Sequence, residues 1–387
     1  MARRQSQGAH GGHLGGGEEL NRKIVPYAPF RDPSNQRVVT RKYFAKALFC
    51  HDARPTVVIR MMPSMPALMF RAFSTTLRSR LRQGPLFPGW GFSFEVTTRL
   101  LKFRAAAVNE LPLDEQRRLQ EVAGEQEAKR MKSKVERSNA RVGGVEGEWF
   151  VPKGKTPTRV ILYLHGGGFI VGSSRTHAEM IMRLAVAAEA RIFAPNYRLA
   201  PEHRHPAQLD DCRAVYEALL ADGIRPQNLI IAGDSAGGNL SVVLPLVLRE
   251  AKIPLPAAIA ALSPWVDVAR REGSLSANQV YDWAAPADFD HWVEYYIGKE
   301  DPKQPLISPI YADLRGLPPL RIDIGTAEML LDQVRDFAAR AKDAGLSVEF
   351  HELPGMIHNS YLLAGYYPEC QAAIEDLGAW MKKTVAV

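Results

Sequence analysis

The sequence predicts an α/β fold, a mostly parallel sheet with helices on both faces, and two features of its 387 residues carry that expectation. From residue 159 onward, short and nearly continuous apolar runs at 160–164, 191–194, 228–232, 258–262, 320–324 and 347–350 alternate with helical stretches. Strands of this composition are buried on both faces, which is the condition of a parallel sheet under two helical layers. The run at 228–232 also opens directly into Gly233-Asp234-Ser235-Ala236-Gly237, whose small residues permit a tight strand-to-helix reversal.

Composition sets outer bounds. A hydrophobic share of 46% is ordinary for a globular chain and sufficient for a large core. The net charge of +7 is unevenly distributed: residues 1–104 hold 18 Lys/Arg against 5 Asp/Glu, a net of +13, which leaves −6 for the remainder. The basic character thus belongs to the N-terminal segment, and with no basic stripe interleaved with aromatics we expect no nucleic-acid partner. Three scattered cysteines, Cys50, Cys212 and Cys370, cannot build a disulfide framework or a thiolate metal centre, and they favour a reducing compartment. There is no apolar run of about 18 residues and no secretory h-region, so the expectation is a cytoplasmic chain without a membrane span.

Taken in order, residues 1–80 read as a basic, disordered extension, Gly-rich over residues 8–17. No acidic residue occurs from 53 to 94, and residues 61–95 have the Arg, Ser and Thr content of a mitochondrial presequence, with a surface or lid segment as the plainer alternative. Residues 111–138 predict a charged helix with Asp114 in its first turn, and 141–152 a strand pair. The α/β domain is expected over 81–387. The aromatic-rich insertion at 275–305 separates two strands of the sheet. Ligands of open α/β sheets bind beyond the C-terminal strand ends, so this insertion and about 81–140 are expected to cap the site.

The chemistry centres on Ser235. A serine hydroxyl needs a base within hydrogen-bond reach and a third group to orient that base. Downstream, His291 falls in the insertion and His351 in the last strand, whereas His358 lies in a Pro/Gly loop after that strand, where a base can reach over the sheet. Among the acids, Glu328 stands just past the strand at 320–324 and is the first choice. Asp332, four residues on and on the same face if a helix starts there, is the alternative and otherwise braces the turn; Asp323 is third. Gly166 and Gly167, in His165-Gly166-Gly167-Gly168-Phe169, can present bare amides to an oxyanion, with the Ala236 amide completing the hole and His165 bracing the loop. A phosphate loop is excluded by spacing. His203 and His205 lack the partners of a metal site, so neither metal nor cofactor is expected.

These motifs resemble the hormone-sensitive-lipase branch of the α/β-hydrolases over residues 145–380. The pieces are the His165–Phe169 run, Tyr197-Arg198-Leu199-Ala200-Pro201-Glu202-His203, Gly233-Asp234-Ser235-Ala236-Gly237-Gly238, Ser263-Pro264-Trp265 and Pro354-Gly355-Met356-Ile357-His358. The resemblance implies an eight-stranded sheet, a helical cap, cofactor-free esterase activity on a small-molecule ester, and pairing of copies through the sheet edge as a route to a homodimer. It departs at the acid, where the family's usual Asp is matched by Glu328, with Asp332 in the second place of the turn. The leading expectation is a serine carboxylesterase for small to medium apolar esters. An acyltransferase or lactonase shares the same nucleophile chemistry, and a ligand-binding pseudo-hydrolase is the non-enzymatic alternative.

Overall fold

A computed structural model describes residues 63–385. The glycine-rich stretch and most of the expected N-terminal extension therefore lie outside the described residues. Within them, the boundary at residue 80 needs correction, because Met65–Gln83 is a helix, α1. It buries Leu68, Ala72 and Thr76, a row at spacing four, and packs on α2, Phe92–Asn109. Buried Glu95 ties the pair together, accepting from Arg80 at 2.8 Å and Arg99 at 3.0 Å. The two guanidinium donors keep its carboxyl below the usual range although burial alone would raise it.

The charged helix expected to run to residue 138 is α3, Leu113–Ala128, and it stops ten residues early. After a 3₁₀ turn the chain enters β1, Val135–Val142, antiparallel to β2, Val145–Pro152. The strand is so polar because it lies at the sheet edge and buries only Val135 and Val142. Gly143 and Gly144, both at positive φ, close the hairpin in two residues.

Six further strands follow: β3 Val160–Leu164, β4 Arg191–Pro195, β5 Leu229–Asp234, β6 Ala258–Leu262, β7 Leu320–Gly325 and β8 Val348–Leu353. Among the described residues they form one eight-stranded sheet in the order β1-β2-β4-β3-β5-β6-β7-β8, parallel from β4 to β8. Every residue of β3, β5, β6 and β7 is buried. Alternate side chains feed two cores, with Leu162 and Leu164 in one and Ile161 and Tyr163 in the other. The first core is covered by α5 Ala207–Ala221, α6 Ala236–Glu250 and α9 Leu331–Asp343. The second is covered by α4 Ala178–Ala188 and α10 Pro368–Thr384.

Between β6 and β7 the insertion forms α7, Ser274–Ala277, and α8, Pro286–Ile297. It meets the N-terminal helices: Tyr281 packs edge-on to Phe87 at 5.2 Å, and Asn109 donates to Asp288 at 3.0 Å. Both segments also touch the loops after the sheet's C-terminal strand ends. Trp283 Nε1 donates to the His358 carbonyl at 3.0 Å, and Trp90 Nε1 to that of Gly355 at 2.6 Å. Among the described residues no helix is long and apolar enough to cross a membrane.

Candidate active site

Strand β5 delivers Ser235 at the start of α6 with φ 55° and ψ −116°. An L-residue rarely adopts this conformation, which costs on the order of 1–3 kcal/mol unless the surroundings hold it. Here they do. The Ser235 amide donates to Leu262 O at 2.9 Å and its carbonyl accepts from Trp265 N at 3.0 Å, fastening both sides of the turn to β6 and the loop beyond it. The reversal brings α6 so close to β3 that a β-carbon on Gly237 would lie 1.9 Å from the Leu164 carbonyl oxygen. Gly237→Ala should therefore displace backbone and lower stability by roughly 3 kcal/mol or more. Denaturant unfolding measures this, and an unchanged midpoint would mean that α6 can shift freely.

The loop after β8 brings His358 onto the serine: Nε2 stands 2.9 Å from Ser235 Oγ. On the other side of the ring, Nδ1 lies 2.9 Å from Glu328 Oε2. All three side chains are buried. Glu328 Oε1 accepts from Ser263 Oγ at 2.6 Å and Gly325 N at 2.6 Å, so both carboxylate oxygens are engaged. With its second oxygen held in this way, the carboxylate is fixed in the plane that receives Nδ1–H. Burial raises the Glu328 carboxyl above its ordinary value. Burial would lower the His358 imidazole, but the Glu328 carboxylate outweighs it and raises the ring above its ordinary value.

The alternative acids are engaged elsewhere. Asp332 accepts from Ser274 N at 2.7 Å, bracing the turn before α7. Asp323 is buried against Arg321 at 2.9 Å and the Tyr361 hydroxyl. The condition under which Glu328 and Asp332 would share a helix face is not met, because α9 begins only at Leu331. The amides of Thr326 and Ala327 donate to Leu353 O and Met356 O, which holds Glu328 in a turn beneath the His358 loop. His351 lies in β8, half-buried and 3.6 Å from Glu349, and His291 lies in α8 against Tyr295.

One of the expected oxyanion donors is committed to another acceptor. Gly166 N donates to Asp234 Oδ1 at 3.0 Å, so it cannot also point at a substrate oxygen. The amides of Gly167 and Gly168 have no acceptor among the described residues, and that of Ala236, first in α6, has no intrahelical partner. Gly168 therefore stands where Gly166 was expected, beside Gly167 and Ala236. His165 is packed into the loop: Nδ1 is 2.8 Å from Gly166 O, the ring stacks on Tyr197 at 4.1 Å, and the Tyr197 hydroxyl donates to its carbonyl at 2.6 Å. Burial lowers its pKa to about 3, so it remains neutral.

Sequence reasoning quoted Asp234 within its motif but gave it no role. The structure makes it the buried junction of the site. Besides Gly166 it accepts from Tyr163 at 2.7 Å and Asn359 Nδ2 at 2.7 Å, with His177 Nε2 at 3.3 Å. One carboxylate thus joins β3, the glycine loop and the residue after His358. Burial would raise its pKa, but His177 and Tyr163 hold it below the usual carboxylate range. Asp282 was likewise missed. It accepts from the amides of His358 at 3.2 Å and Met329 at 3.0 Å, so it fixes the loops that carry His358 and Glu328 to each other. Its only sequence signal was its place in the insertion.

Trp292 of α8 stands over the glycine loop, where a β-carbon on Gly168 would lie 2.9 Å from its ring. Arg117 of α3 donates to Ile170 O at 2.8 Å and Ala200 O at 2.9 Å, holding the same loop from the N-terminal side.

Residues 161–362 match a family described as having the alpha/beta hydrolase fold. An acetyl-hydrolase of Streptomyces hygroscopicus is 39% identical over 242 residues, 62% of this chain and 81% of that protein. An esterase of Acinetobacter venetianus is 34% identical over 239 residues, 61% of this chain and 78% of its own. Among solved structures, a hormone-sensitive lipase from a metagenome library superposes with a TM-score of 0.70 at 36% identity, covering 75% of this chain and 97% of that one. An esterase of the bacterial hormone-sensitive-lipase family gives a TM-score of 0.65 at 34% identity, with 84% and 100% covered.

Proposed function

The chain belongs to the α/β-hydrolase family, in its hormone-sensitive-lipase-like branch, and is a hydrolase of ester bonds; from that premise we propose that Ser235 is its acyl-accepting nucleophile. The observation that carries this reading is the position of His358, at 2.9 Å from both Ser235 Oγ and Glu328 Oε2.

In the first half-reaction Ser235 Oγ attacks the ester carbonyl carbon while His358 Nε2 takes the hydroxyl proton. Glu328 holds the ring with its proton on Nδ1 and stabilises the imidazolium that forms. The carbonyl oxygen becomes an oxyanion and receives N–H donors from Gly167, Gly168 and Ala236; removing one such donor typically lowers the rate about 10²–10³-fold. The tetrahedral intermediate collapses, His358 protonates the departing alcohol, and an acyl-Ser235 remains. Water activated by His358 then repeats the sequence in reverse roles and releases the acid. No step requires a metal or an organic cofactor.

The aromatic residues Trp283 and Trp292 beside His358 and Gly168 support an apolar substrate of small to medium size, with α2, α3, α7 and α8 acting as the cap. The acetyl-hydrolase relative supports a short acyl group. The direct test is a fluorophosphonate probe together with p-nitrophenyl esters of graded chain length. The expected result is stoichiometric modification of Ser235 and a kcat/KM that falls as the acyl chain lengthens. Folded protein that neither takes up the probe nor turns over any ester would remove the reading. Addition of a competing alcohol distinguishes water as the acyl acceptor from the transferase alternative.

A further inference from the structure

Helix α1 is apolar over more of its circumference than α2 covers. Leu68, Ala72 and Thr76 face inward, whereas Met69, Phe73, Leu77 and Leu81, the next row at spacing four, are exposed together with Phe70. Phe70 is 73% exposed and Leu81 79%. A single exposed apolar residue means little, but a contiguous stripe this long marks a surface that binds something apolar.

Charge selects the occupant. Helix α1 contains no acidic residue and carries Arg71, Arg78, Arg80 and Arg82. Arg80 is engaged by Glu95, and Arg71 lies over the Phe103 ring at 4.2 Å. Arg78 and Arg82 form no ion pair among the described residues, and on the helical period they stand beside the stripe. An exposed apolar row bordered by arginines is complementary to a surface that presents both acyl chains and anionic head groups. A second copy docked on this face would bring two acid-free helices together, with like charges opposed.

We infer that α1 is an interfacial helix that seats the protein on an anionic phospholipid surface, with Phe70, Phe73, Leu77 and Leu81 entering the boundary between head groups and acyl chains. The helix is held to α2 by the Glu95 cluster, and the segment between them is tied to the His358 loop through Trp90. Seating α1 on a bilayer therefore also brings this end of the molecule to the membrane, where apolar esters dissolve. The inference does not depend on the ester chemistry, and its test reads binding alone.

The experiment is co-sedimentation of the full chain with phosphatidylcholine vesicles, with and without phosphatidylglycerol. Wild type should partition onto the anionic vesicles and weakly onto the neutral ones. The double variant Phe70→Gln/Leu81→Gln keeps the charge, so binding by basic segments alone would survive it; the inference expects at least about a tenfold loss of partitioning. Arg78→Gln/Arg82→Gln should lower binding to anionic vesicles by roughly tenfold and leave binding to neutral ones unchanged. Thermal unfolding checks that the variants fold, since all four side chains project from the helix. The inference is overturned if Phe70→Gln/Leu81→Gln partitions like wild type, or if both vesicle types bind equally. It is also overturned if light scattering shows a wild-type dimer that this variant dissociates, because the stripe then serves a second copy.

Discussion

Replacing Ser235 by alanine is expected to lower kcat for ester hydrolysis by on the order of 10⁵–10⁶-fold, because nucleophile, base and acid act as a unit and removal of the nucleophile leaves only binding and the oxyanion donors. The same substitution should leave the fold intact. The turn is held by backbone bonds from Ser235 to Leu262 and Trp265, which an alanine retains. Strain provides an independent check. At φ 55° and ψ −116° a glycine is more comfortable than any L-residue, so Ser235→Gly should be as inactive as Ser235→Ala yet more stable by about 1 kcal/mol or more. Measured kcat values and unfolding midpoints for the two variants test both halves. An alanine variant retaining a tenth of wild-type turnover would mean that another group accepts the acyl unit.

The second large effect separates the two carboxylates. Glu328→Gln preserves shape but removes the charge that orients Nδ1–H and stabilises the imidazolium, so kcat should fall about 10³–10⁴-fold. Asp332→Asn affects a hydrogen bond to the Ser274 amide, and turnover should stay within a few-fold of wild type, at about 1 kcal/mol in stability. The opposite order, with Asp332→Asn inactive and Glu328→Gln mild, would overturn the assignment.

The pH profile offers a further readout from the same variants. His358 must be neutral to accept the serine proton, so activity is lost as pH falls through its pKa. Burial lowers that pKa but the Glu328 carboxylate raises it by more, so the wild-type acid limb should lie above the ordinary imidazole value of about 6.5. In Glu328→Gln burial is no longer offset by that charge, and the residual activity should have its acid limb at lower pH. A limb that does not move would show that Glu328 does not set the titration of the base.

Much of this site was legible because its chemistry is compact in sequence. The apolar run into Gly233-Asp234-Ser235-Ala236-Gly237 announces a strand, a reversal and a helix together, and the position of His358 after the last strand follows from chain order. Glu328 was legible for a similar reason, as the first carboxylate past β7. The errors share a cause. Residues 129–138 read as a continuation of the charged helix because β1, which begins at Val135, sits at the sheet edge and buries only its two terminal valines. Gly166 read as an oxyanion donor because its amide is bare in the sequence, whereas in the fold Asp234 takes it from 68 residues away. Residues 65–80 read as loose chain because they follow a glycine-rich, basic start and carry Arg, Ser and Thr between their apolar residues, and this masks the row that meets α2.

By itself, the sequence determined the fold class, the strands from residue 160 onward, the tight turn at Ser235 and the chain order of Ser235, Glu328 and His358, since each follows from periodicity or from the steric needs of a few adjacent residues. Only the tertiary structure decided which amides remain without an acceptor among the described residues, that Asp234 and Asp282 lock the loops together, and that α1 exposes an apolar row that none of the described elements covers. Those outcomes depend on which groups, distant along the chain, arrive within about 3 Å of one another, and hydrogen bonding at that range is a property of the assembled sheet edge that no local pattern encodes.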